Sequence, residues 1–122
     1  MKNTLTQKLA AYVQAELDEA TLAKLAGDTQ QEFIHLERAH VLGQESTYWH
    51  VKVHMLMLAW AIRNRSVREA MGQVFRIVGA ATKTAFGLVP QGNTGGANVS
   101  PFKKMPIEPD LAALIHKAKS GL

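Results

Sequence analysis

The stretch Phe33-Ile34-His35-Leu36-Glu37-Arg38-Ala39-His40-Val41-Leu42-Gly43-Gln44-Glu45-Ser46-Thr47-Tyr48-Trp49-His50-Val51-Lys52-Val53-His54 reads as two helices joined by a tight turn. Apolar residues recur at helical spacing up to Leu42, and Gly43 is a helix stop. Ser46 or Thr47 then offers a side-chain oxygen to cap a third helix reaching about Arg63. A loop this short makes the two helices antiparallel neighbours.

The same punctuation continues outward. A first helix spans about Leu5 to Leu25, with Leu5, Leu9, Tyr12, Ala20 and Ala23 on one stripe. Gly27-Asp28 breaks it, and Asp28 or Thr29 caps the second helix. Asn64 and Ser66 mark the turn into a fourth helix, Val67 to about Phe86, ended by Gly87. Its inward face is expected to be Val67, Met71, Val74, Val78, Ala81 and Ala85. The opposite stripe, Arg65, Arg68, Gly72, Arg76, Gly79 and Lys83, is expected to be solvated. All four prolines follow residue 89, so nothing earlier interrupts a helix. Residues 88–108 are rich in glycine and proline and read as irregular, and Pro109-Asp110 opens a short last helix carrying Leu111, Leu114 and Ile115. No segment alternates as a strand does. The expected fold is all-α: one domain over 1–122, with four main antiparallel helices, an irregular segment and a short C-terminal helix. Gly27-Asp28, Phe33, Leu36, Ala39 and Gln44 look like the turn and second helix of a tetratricopeptide unit. The first helix matches that pattern poorly and no second repeat follows, so the likeness extends only to the hairpin geometry.

The chemical signal lies in this hairpin. Glu37 and His40 are three apart, and His50 and His54 four apart, so each pair shares a helix face. Both faces point to the apolar side. With the turn centred near residue 45, His40 falls level with His50 and Glu37 with His54. With the earlier turn near residue 27, Glu16 falls level with Glu37. Five candidate ligands, Glu16, Glu37, His40, His50 and His54, therefore share a layer. Buried ionisable groups are costly unless paired or metal-bound. Nitrogen and carboxylate donors suit divalent zinc, iron, manganese, nickel or copper. A competing reading keeps the layer as a structural network: Glu37 pairs with His54, His40 and His50 bond backbone, and the protein is a helical interaction module.

Several classes are excluded or weakened. With no cysteine there are no disulfides, thiolate metal sites or cysteine nucleophiles. A ferritin-like di-iron centre needs Glu-x-x-His on two helices, whereas Glu32/His35 lies on the same helix as Glu37/His40 and faces elsewhere. Val51 stands where a zincin requires glutamate. The run Gly92 to Asn98 has no preceding strand and no following Lys-Ser/Thr, so it is not a P-loop; loop flexibility or packing over a neighbouring surface is its expected role. His35 and His116 read as surface residues, Met55 and Met57 as core filler, and Trp49 and Trp60 as core or subunit contacts.

The chain has 122 residues, with 14 Lys+Arg against 10 Asp+Glu and a net charge of +4. The basic excess sits in the second half, without interleaved aromatics, which argues against nucleic acid. The most apolar stretch, Val51 to Ile62, is too short for a bilayer and contains Lys52 and His54, and no signal peptide opens the chain. A cytoplasmic protein is expected, with a metal ion as its ligand and a protein partner or a second copy as its other contact. A metal-dependent enzyme would need an open coordination position and a pocket, which spacing does not specify.

The run Phe33 to Gln44, the pair His50 and His54, and the tail Val89-Pro90-Gln91-Gly92-Asn93-Thr94-Gly95-Gly96 through Met105-Pro106-Ile107 together resemble an uncharacterised bacterial family, domain of unknown function 3703. The resemblance covers nearly the whole chain. It implies no assigned activity and no ligand residues. The occurrence of such proteins beside heavy-metal resistance genes favours the metal reading.

Overall fold

The computed structural model describes residues 4–83, 93–97, 99 and 103–120. Five helices follow in order: α1 Leu5–Leu25, α2 Thr29–Gly43, α3 Thr47–Arg63, α4 Val67–Lys83 and α5 Pro109–Ser120. No strand occurs among the described residues, and the fold is all-α. The expected end of the fourth helix at Phe86 and Gly87, the inward Ala85, the Lys83 side chain, and Gly92 and Asn98 lie outside the described residues.

Each start has a local cause. Thr4 caps α1 in a reciprocal box with Gln7. The Asp28 carboxylate accepts from Gln31 N at 3.0 Å, and Ser46 accepts from Trp49 N at 3.4 Å. Gly27 makes the α1–α2 turn at φ +76. Between α3 and α4 the left-handed residue is Arg65, at φ +56.

Helix α1 packs on α2, α2 on α3 and α3 on α4, as antiparallel hairpins require, and α5 returns to α1 and α2. The core is Leu9, Val13 and Leu17 of α1, Leu36, Ala39 and Leu42 of α2, Trp49, Val53 and Met57 of α3, and Leu111 and Ala118 of α5. The buried line on α1 thus runs through Val13 and Leu17 rather than through Tyr12 and Glu16, which places Glu16 at its edge, beside α2.

Helix α4 is turned the opposite way from its pattern. Val67, Met71, Val74, Phe75 and Val78 are 53–79% exposed, while Gln73 and Ala80 are buried. Gly72 and Arg76, expected in solvent, face the segment 93–99. The physical reason is polar: Gln73 is taken by His54, Glu69 and the Gly95 carbonyl, and Arg76 donates to the carbonyls of Gly72 and Val99. Among the described helices α4 packs on α3 alone, so no other of them competes for its apolar side. No helix is long and apolar enough to cross a membrane among the described residues.

Candidate metal centre

His40 is on the last turn of α2, and His50 and His54 are on successive turns of α3. The three rings are 2–6% exposed. Their centroids are 4.6–4.9 Å apart, and one nitrogen from each lies within 4.8 Å of the others. Their register follows from the short α2–α3 turn and the i,i+4 spacing.

The other ring atoms set what the inward nitrogens can do. His40 Nδ1–H donates to the Asn93 carbonyl at 2.6 Å. His54 Nδ1–H donates to Gln73 Oε1 at 2.6 Å. The Gln73 amide orientation is fixed, because its Nε2 lies 2.7 Å from a Glu69 carboxylate oxygen and 2.9 Å from the Gly95 carbonyl, both pure acceptors. Between these anchored edges, His40 Nε2 and His54 Nε2 are 3.1 Å apart.

The Asn93 carbonyl, His40, His54 and the Gln73 oxygen thus form one row of short polar contacts. Burial, then the charges of His54, His50 and Arg76, push His40 well below its ordinary value of 6.5, so that its ring is held neutral, the form in which imidazole binds a metal. Donors whose far nitrogens are hydrogen-bonded to oxygen are the usual pattern for metal-bound histidine.

The segment 93–97 closes over this cluster. Asn93 is 2% exposed, and its side chain donates to the Lys103 carbonyl and accepts from Gly95 N. Gly95, at φ +84, lays its Cα on the His40 ring; a Cβ there would be 2.6 Å from His40 Cδ2. Ala97 N donates to Glu69. Of the two roles expected for the glycine-rich run, flexibility or packing over a neighbouring surface, its described residues 93–97 show the packing.

The two carboxylates expected in the layer are placed elsewhere. Half-buried Glu37 is hydrogen-bonded to the Thr94 side chain, and the two line a recess of about 100 Å³ with Arg38, Val41 and Ile107. Burial first, and then the Glu69 charge, raise the Glu37 carboxyl above its ordinary 4.5, with the Thr94 hydrogen bond opposing. Glu16 accepts from His35 Nδ1 at 2.8 Å and from Arg38 Nε at 3.0 Å, outside the group formed by His40, His50 and His54. Arg38 also reaches Glu108 and Asp110, tying α5 to α2. His35 is thus a half-buried pair partner, whereas His116 is exposed. Gln73, Glu69, Asn93 and Gly95 were not singled out from the sequence. For Gly95 the cue was a glycine-rich run requiring close approach; Gln73 carried no cue, because it lies opposite an apolar face.

Neither the curated proteins nor the solved structures contain a match to this chain. The model of the family described as "Protein of unknown function (DUF3703)" matches residues 7–115, and the chain belongs to that family.

Proposed function

We propose that this protein binds one divalent transition metal ion through His40, His50 and His54, in metal handling or resistance. The observation that carries the reading is the convergence of three buried imidazoles, each with one ring nitrogen within 4.8 Å of the others. Three imidazoles without thiolate fit zinc, iron, manganese, nickel or copper. Glu37, one turn before His40, is the carboxylate available to complete the set by turning from the neutral Thr94 hydroxyl. Glu16 would have to leave both Arg38 and His35, so its part is to hold α2 against α1. Charge balance comes from Glu69, which grips Gln73 and Ala97.

The test uses the full chain purified without a histidine tag, reconstituted with zinc and, separately, with the other divalent ions. Elemental analysis is expected to give one ion per chain. His50→Ala and His54→Ala are expected to lose it while keeping helical circular dichroism. A wild-type chain that takes up none of these ions, and whose histidine variants only lose stability, would establish the structural network instead.

A further inference from the structure

We propose that the exposed apolar face of α4 is a homodimer interface, in which two copies of α4 pair antiparallel about Val74. The face consists of Val67, Met71, Val74 and Val78, spaced four, three and four residues apart, with Phe75 beside them. That spacing makes a helix-pairing seam, and the five residues span an arc of roughly 80–100°. Their exposures are 71%, 61%, 53%, 67% and 79% in that order.

The chain cannot cover this face by rotating α4. Such a rotation would withdraw Gln73 from His54, Glu69 and Gly95, and Arg76 from Val99. Polar demands on the inner side thus leave the apolar side outward among the described residues, open to a second copy of the chain. The area suits a second copy. From their exposures the five residues present roughly 600 Å², so two copies together would bury about 1,200 Å², the lower end of the range for a stable interface.

Charge decides the orientation and disfavours a lipid surface. The exposed cations Arg65 and Arg68 lie at the N-terminal end of α4, whereas Arg63 nearby is paired with Glu32. A parallel pair would stack these cations, whereas an antiparallel pair sets them at opposite ends and opposes the helix dipoles. A helix lying on a membrane carries cations along both flanks of its apolar face, and here Arg76, which would extend the row, is turned inward to Val99.

Sedimentation equilibrium of the full chain at micromolar concentration is expected to give twice the 13.4 kDa chain mass. Met71→Glu with Phe75→Glu is expected to weaken the dimer on the order of 100-fold or more, with unchanged helical circular dichroism. The chain has no cysteine, so single replacements report the register. Val74→Cys, on the two-fold axis, is expected to cross-link under mild oxidation, whereas Val67→Cys does not. A wild-type monomer throughout this range overturns the proposal, including one that instead co-sediments with anionic vesicles. So does a dimer that the double glutamate variant leaves intact, or cross-linking at Val67→Cys but not at Val74→Cys.

Discussion

Gly95→Ala separates two effects that usually arrive together. The residue sits at φ +84, and the added Cβ would stand 2.6–2.8 Å from three atoms of the His40 ring. Ordinary contact begins at 3.4 Å, so ring or loop must retreat by about 0.8 Å. The ring cannot yield freely, because Nδ1 is bonded to Asn93 at 2.6 Å. The left-handed backbone costs an alanine about 1–2 kcal/mol, and overpacking a filled site adds about 1–3 kcal/mol. The expected loss is therefore about 2–5 kcal/mol. Gly27→Ala is the internal control: its φ is +76, and nothing lies within 4 Å of the new Cβ. It is expected to lose the backbone part alone, about 1–2 kcal/mol. Urea unfolding followed by circular dichroism measures both, and the difference is the contact with His40. Zinc titration of Gly95→Ala is expected to show weakened binding, while Gly27→Ala binds as the wild type does. Equal losses for the two variants would refute the placement of the 93–97 segment on the histidines.

Three further outcomes follow from the same geometry. Gln73→Leu leaves the Gly95 carbonyl and the Glu69 carboxylate without their amide donor and His54 without its acceptor; thermal unfolding is expected to show a loss of about 3 kcal/mol, and zinc affinity is expected to fall about 10–100-fold. The raised Glu37 carboxyl contributes stability to the metal-free protein that is complete below its ordinary 4.5 and is lost as pH rises through the shifted value. Glu37→Gln is expected to abolish that loss in unfolding curves taken across pH 4 to 8; an unchanged curve would show that Glu37 is not desolvated. Arg38 holds Asp110 below its ordinary 3.8, so that contribution is complete above this pH and disappears as pH falls through the lowered value. Arg38→Met is expected to lose this acid-dependent part and to destabilise at neutral pH as well, because Glu16 also loses its guanidinium partner, read from urea curves at pH 3 and 7.

The helix boundaries were legible because their signals are local. Asp28, Ser46, Gly43 and Pro109 act on backbone groups within one turn, and α2 begins after Asp28 and ends at Gly43, α3 begins after Ser46 and α5 begins at Pro109. The convergence of His40, His50 and His54 was legible for a related reason, since a short antiparallel turn leaves little freedom of register. Glu16 shows where such reasoning stops. A stripe on α1 rotated by one position puts Val13 and Leu17 in the core and leaves Glu16 at the rim, within reach of Arg38. The orientation of α4 was not legible at all. Periodicity locates an apolar face but not what covers it, and the deciding contacts join Gln73 to Gly95 and Arg76 to Val99, 22 and 23 residues apart. Those contacts also supply the acceptors that fix the histidine tautomers.

The buried position of the three rings has a kinetic consequence. At 2–6% exposure, with Gly95 seated on His40 and the segment pinned by Asn93, Gln73 and Glu69, an ion bound among them would exchange only as fast as residues 93–97 lift away. Transfer of zinc to an external chelator would then run at a rate independent of chelator concentration, paced by the opening of the protein. Loosening a single anchor, as in Gln73→Leu, would shorten residence even where the histidines themselves are untouched.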